Sequence, residues 1–323
     1  VRGGELAAFI LRRLLVAVPM MACVAIVNFL LIRAAPGDPA QILMGDFPAP
    51  PGTLEAIRHS YGLDRPLWVQ LVTYLGQVAR GDLGYSFANR QPVAHLIIER
   101  MAATLSLTVT ALTVASVLGV VLGILAARRQ GRWLDTVVQT VSLAGYSVPE
   151  FWLGQMLILV FAVWLGWLPA QGSASVRSLA PPGFLERLSY LALPALALSV
   201  RYLALIARIT RSSMIQALSS DFILAARLRG ASELRVILRH ALRNAAGPVV
   251  SVIGTNAGFV LAGSALIETV FGWPGIGRLL YGAISQRDTP VMLGVLLVVS
   301  LCVVLANLAT DIIQQVIDPR IGR

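Results

Sequence analysis

Apolar and polar positions fall in long blocks along this chain, a pattern on the scale of a bilayer rather than the short period of a soluble core. Apolar runs cover residues 14–32, about 103–127, 137–165, 189–207, 247–267 and 291–313. Each is near the ~20 residues a transmembrane helix needs, so six crossings are predicted. Arg12 and Arg13 precede the first run, as they would in a secretory or twin-arginine signal. That run is longer than a typical signal core and the chain beyond it is not a secreted domain, so it reads as a retained helix with a cytoplasmic N-terminus.

Several runs carry marks inside them. Gly119 and Gly123 form a small-xxx-small pair in the second, which lets helices approach closely. The third is interrupted by GYSVPEFWLG at 145–154. There Pro149 removes a backbone hydrogen bond and Glu150 is ionisable at membrane depth, so a break or kink is predicted. Pro194 predicts a second break in the fourth run, which also carries Arg201. The fifth holds Gly254, Gly258 and Gly263, with Asn256 among them.

The long polar stretch, 33–100, balances six Arg against six acids. Within it APGDPA (35–40) and FPAPPG (47–52) are turn chemistry, and Pro66 opens a helix that Gly81 closes. A compact loop and a docking surface for another protein are equal readings of this region. Residues 268–290 read as a Gly/Pro-rich outer turn and a short helix. Residues 221–243, DFILAARLRGASELRVILRHALR, cannot cross a membrane, because each Arg would cost roughly 2.5–3.5 kcal/mol at the bilayer centre. Spacing predicts a short helix from Asp221 to Arg229, about 14 Å long, ended by Gly230. Ala225 and Ala226 give that helix a small-residue stripe on which another protein could pack.

Composition then narrows the class. With 57% hydrophobic and only 13% charged residues and a mean hydropathy of +0.76, a soluble globular domain is excluded. The net charge of +10 would suit nucleic acid, but its distribution decides otherwise. Segments placed inside hold fifteen Arg against five acids, and segments placed outside hold ten against nine. This is the asymmetry of a multi-pass protein with both termini cytoplasmic, whose partner is a lipid bilayer and not nucleic acid. All 26 basic residues are Arg, so the chain lacks the lysine of a phosphate-binding loop, and any ATP must be hydrolysed by another polypeptide. Cys23 and Cys302, far apart in apolar runs, read as buried inert thiols. His59, His95 and His240 lie outside the runs, which leaves no histidine for an intramembrane dyad or metal site, and no cofactor or enzymatic activity is expected of this chain.

The ionisable residues at membrane depth are Glu150, Arg201 and Asp311. Such groups usually face a cavity or a partner. Glu150 therefore lines a transport path, sits at the outer mouth, or pairs with Arg201, and Tyr146, Glu150 and Asn256 are the path candidates.

Three blocks of sequence resemble one family. Ala225-Ala226-x-x-x-Gly230, continued as ARLRGASELRVILRHALRNAAGPVV, resembles the cytoplasmic loop of membrane subunits of ATP-binding-cassette importers, in the version found in dipeptide and oligopeptide permeases. Leu224 stands where the general motif has Glu, and Arg243 where it has Pro, as is common in that subgroup. YGLDRPLWVQLVTYLGQVARGDLGYS (61–86), followed by PVAHLIIERMAATLSLT, and ETVFGWPGIGRLLYGAISQRDTP (268–290) resemble the same B-type permeases, as do Asn307, Asp311 and Asp318-Pro319-Arg320 near the end.

The resemblance implies an all-α integral membrane protein with the six transmembrane helices of the type I importer permease and an extracytoplasmic insert after the first helix. The implied division is 1–32 for the N-terminus and first helix, 33–102 for the extracytoplasmic region, and 103–323 for a five-helix core with its coupling loop at 208–246. It implies a coupling helix that docks on an ATPase through Asp221, Phe222, Ala225, Ala226, Arg229 and Gly230. It also implies a second homologous permease, two ATPase subunits that bind ATP and magnesium, an extracytoplasmic binding protein, and location in a bacterial cytoplasmic membrane. The alternative is a self-sufficient secondary transporter of a small solute. That would need coupling-ion ligands at mid-membrane and usually two repeated halves, and the chain shows no internal repeat.

Overall fold

The computed structural model describes residues 3–34, 52–60, 62–86, 88–174 and 183–317. The turn sequences at 35–40 and 47–51, the Pro pair at 181 and 182, and the terminal Asp318-Pro319-Arg320 lie outside the described residues. In chain order the helices are α1 (Gly3–Ala34), α2 (Thr53–Ser60), α3 (Leu67–Ala79), α4 (Val93–Arg128), α5 (Trp133–Ser147), α6 (Glu150–Trp164), α7 (Phe184–Leu218), α8 (Asp221–Leu228), α9 (Glu233–Val270), α10 (Ile276–Gln286) and α11 (Thr289–Ile317). Helices α6 and α9 include π-helical segments, Ile158–Trp164 and Val236–Ala241. A two-stranded antiparallel hairpin, β1 (Tyr85–Ser86) and β2 (Gln91–Pro92), precedes α4.

Helices α1, α4, α7, α9 and α11 are each long and apolar enough to cross a membrane, and α5 and α6 meet the same test together, as a pair bent by 103°. Most helices overrun the apolar runs, because a helix continues into water for as long as its backbone is bonded internally. Thus α4 starts at Val93, ahead of the run at 103, and α9 starts at Glu233, so that Arg235, Arg239 and Arg243 ride its first turns.

The core of the bundle is the α4–α7 contact. Leu107, Ala111, Ala115, Gly119 and Gly123 recur every fourth residue on α4, where the first three are fully buried against Leu198 and Ile206 of α7. A Cβ at Gly123 would lie 2.6 Å from Thr210 Cβ and 2.7 Å from the Ala207 carbonyl oxygen, so the backbones touch where the small residues permit. Pro194 does not break α7 as predicted. The helix runs unbroken from Phe184 to Leu218, held by buried neighbours Leu193 and Ala195. One missing hydrogen bond is tolerated in a transmembrane helix packed on both sides.

The break at Pro149 does occur. Val148 and Pro149 are both extended, with ψ of 130° and 131°, and for Val148 this is what steric exclusion before proline requires. At the foot of α5, Asp135 is buried. It accepts hydrogen bonds from Arg211 Nε (2.5 Å) and Nη2 (2.7 Å) and from the Gly131 amide (2.9 Å).

At the opposite end, Glu268 departs from expectation. It is the fully buried end of α9, not part of an outer turn. Its Oε1 accepts from Thr104 Oγ1 (2.7 Å), and its Oε2 accepts from the amides of Gly277 (2.7 Å) and Arg278 (3.1 Å). Thr104 Oγ1 in turn accepts from the Ile276 amide at 2.8 Å. Two side chains from two other helices thus satisfy the orphan amides that open α10.

Helix α3 is bounded by Pro66 and Gly81 as expected, and Tyr74 stacks on Phe29 of α1 with ring centroids 5.5 Å apart. Ser86 of the hairpin donates a 2.5 Å bond to Asp288, which pins the hairpin to the start of α11. Helix α1 buries Ala25 and Phe29 but turns Cys23 outward, so that thiol is exposed and Cys302 is half-buried, contrary to the expectation of two buried thiols. Arg13 of α1 pairs with Asp311 of α11 at 3.1 Å.

Candidate functional site

The bend between α5 and α6 creates a cavity. With Tyr146 in the last turn of α5 and Glu150 at the first position of α6, both side chains face the space left where the span changes direction. Helix α7 closes one side with Arg201 and Tyr202, and α9 closes another with Asn256 and Gly263. The cavity holds about 770 Å³, within the range of small-ligand sites. All three predicted path residues, Tyr146, Glu150 and Asn256, line it, although they come from separate parts of the chain. Tyr202 and Phe259 also line it and were not foreseen. Tyr202 directly follows Arg201, and that adjacency was the available signal.

The cavity is chemically two-sided. Arg201 Nη1 stands 3.8 Å from Glu150 Oε1, and the guanidinium lies 5.3 Å from the centre of the Tyr146 ring, within cation–π range. The Asn256 amide donates to the Val252 carbonyl at 2.6 Å, which ties its nitrogen to its own helix. Apolar walls such as Phe259 and Leu266 complete the lining. Among the described residues no group of three or more His, Cys, Asp or Glu is placed to hold a metal.

The second site is α8, at the Arg-rich end. Ser220 is its N-cap residue, and Gly230 turns the chain at φ +80°, a conformation that favours glycine. Arg227 pairs with Glu233 at 2.9 Å across the turn. Of the six residues predicted to dock, Asp221, Phe222, Ala225, Arg229 and Gly230 are exposed. Ala226 is only 2% exposed and is turned into this chain's own core, as is Ile223. The predicted stripe of two alanines is therefore split, because adjacent helical residues sit about 100° apart. The outward apolar surface is instead Phe222, Leu224 and Leu228, and the last two were not foreseen.

Ile223 packs with Met214 and Ala217 of α7 and with Val236, Ile237, Ala241 and Ala245 of α9. Helix α8 is thus fastened to the same two helices that carry Arg201, Tyr202 and Asn256. From Ala217 to Arg201 the link is one continuous helix of about 24 Å.

Comparison with known proteins accords with this geometry. Residues 119–323 match the family described as binding-protein-dependent transport system inner membrane component, and residues 6–108 match the N-terminal part of the same membrane component. The chain is 41% identical over 330 residues to the di/tripeptide transport system permease protein DppB of Pseudomonas aeruginosa, covering 97% of this chain and 98% of that one. It is 44% identical over 313 residues to the probable peptide ABC transporter permease protein y4tP of Sinorhizobium fredii, again covering 97% and 98%. It is 40% identical, with the same coverage, to the glutathione transport system permease protein GsiC of Escherichia coli K12. Among solved structures, the inward-facing MetNI methionine ABC transporter superposes with a TM-score of 0.55 at 19% identity, covering 69% of this chain and 97% of that one. That likeness speaks for the fold alone. On the matches that span nearly its whole length, the chain belongs to the binding-protein-dependent transport system inner membrane component family, the membrane-spanning permeases of ABC importers.

Proposed function

We propose that this chain is one of two homologous permease subunits of an ATP-driven importer for di- and oligopeptides. The observation that carries the reading is its identity of at least 40%, over 97% of its length, to permeases named for di/tripeptides, peptides and glutathione, glutathione being itself a tripeptide. The Arg-rich end, with both termini, faces the cytoplasm. ATP and magnesium bind in two ATPase subunits that dock on the outward face of α8. A binding protein delivers peptide at the opposite end, near α3 and the hairpin.

In this reading ATP closes the ATPase pair, and the motion reaches α7 and α9 through Ile223 and Ala226, whose burial makes α8 move with them. The cavity beside Glu150 and Arg201 opens to one side and then to the other. ATP need only favour one arrangement by about 5 kcal/mol to reverse the populations of the two.

The test is reconstitution. The chain with its partner permease, ATPases and binding protein in proteoliposomes is expected to take up labelled dipeptide only with ATP, and to bring the ATPases down when tagged. Uptake by the chain alone, driven by an ion gradient, would replace this reading with a secondary transporter.

A further inference from the structure

We infer that Glu150 and Arg201 form a transient site for the two ends of a zwitterionic solute, Glu150 taking a free α-ammonium and Arg201 a free carboxylate. This rests on the reading of the chain as a peptide permease and specifies what the permease itself recognises.

Two ion pairs within the bundle show the contrast. Asp135 and Arg211 form a bidentate pair at 2.5 and 2.7 Å with side chains 3% and 20% exposed, a pair that holds α5 to α7. Glu150 and Arg201 stand 3.8 Å apart with side chains 13% and 50% exposed, too far for a hydrogen bond. Neither side chain makes a hydrogen bond to another described residue. A pair whose purpose was to fasten helices would close, as the first one does.

The surroundings keep the pair open yet in place. The Tyr146 ring positions the Arg201 guanidinium through its face, which leaves the N–H groups free for bidentate capture of a carboxylate. A Cβ on Gly263 would lie 3.3 Å from Tyr202 Oη and 3.5 Å from Glu150 Oε2, so glycine leaves room beside the carboxylate.

Exchange with a zwitterion also balances charge. One positive and one negative group enter, each finds its opposite, and the cavity remains neutral. A solute with a blocked amine or blocked carboxyl would leave Glu150 or Arg201 without its new partner. Loose mutual pairing keeps such a site weak, as a transport path requires, since cargo must leave as well as enter.

The test uses the assembled importer in nanodiscs without binding protein, with equilibrium dialysis of labelled Ala-Phe, its N-acetyl form and its C-terminal amide. The free dipeptide is expected to bind about tenfold more tightly than either blocked form. Glu150→Gln should abolish discrimination against the N-acetyl form alone, and Arg201→Gln discrimination against the amide alone. Arg201→Lys, which keeps the charge, should retain part of the latter. Equal binding of all three compounds by the unaltered importer would overturn the inference, and so would variants that keep its full discrimination. Uptake with binding protein separates this from the wider reading. Dipeptide uptake without discrimination retires the zwitterion site alone, whereas discrimination without uptake retires the peptide importer and leaves the site.

Discussion

Thr104 and Glu268, 164 residues apart in the chain, share a buried hydrogen bond of 2.7 Å that closes the end of the bundle opposite the Arg-rich loops. Together they receive three backbone amides at the start of α10, those of Ile276, Gly277 and Arg278. The glycines of FGWPGIG fit the same arrangement, since a Cβ on Gly275 would overlap the Glu268 carboxyl and one on Gly277 would overlap Ala265. Trp273 locks the turn by donating from Nε1 to the Ala103 carbonyl at 2.8 Å.

Glu268→Ala is therefore expected to destabilise the protein by about 3 kcal/mol, because buried donors lose their acceptor. Thermal unfolding of the detergent-purified importer would read this, and Glu268→Gln should fall between the two. An unchanged melting temperature in the alanine variant would mean that the carboxylate does not hold α10.

Two glycines should respond with opposite sign. At Gly123 any side chain meets the α7 backbone, so Gly123→Leu is expected to cost about 2 kcal/mol or more by forcing the helices apart. At Gly76, on α3, a Cβ would meet nothing within 4 Å, so Gly76→Ala should stabilise by up to about 1 kcal/mol through helix propensity. Melting temperatures of the two variants, measured side by side, check both signs.

On α8 the inward and outward faces should separate folding from coupling. Ala226→Arg places a charge in the core formed with α7 and α9, and the expected result is reduced abundance in the membrane. Leu228 is 81% exposed, so Leu228→Asp should leave abundance unchanged while weakening ATPase binding by about 2 kcal/mol, roughly thirtyfold. Copurification of the ATPases with tagged variants distinguishes the two. Normal ATPase binding by Leu228→Asp would move the docking surface away from α8.

Orientation is tested by cysteine labelling in a background where Cys23 and Cys302 are replaced. Cysteine at the exposed position Gln77 should react with an impermeant thiol reagent in intact cells, and cysteine at the exposed position Ser232 only after permeabilisation. The reverse pattern would invert the proposed topology.

Amino-acid order alone determined the membrane class, the six crossings, the short helix before Gly230 and the break before Glu150. Each depends on local chemistry, namely bilayer length, the cost of arginine in lipid, left-handed turns and the steric demand of proline. Tertiary structure decided the rest. Pro194 does not break α7, because packing around the helix outweighs one lost hydrogen bond, and no local rule weighs packing that depends on residues a hundred positions away. Ala226 faces inward because α7 and α9 approach that side of α8, so which of two adjacent alanines meets a partner depended on neighbours rather than on spacing. Glu268 looked like an outer acid beside a turn. It is buried because Thr104 and the amides of α10 surround it, and only folding brings those donors to a single carboxylate.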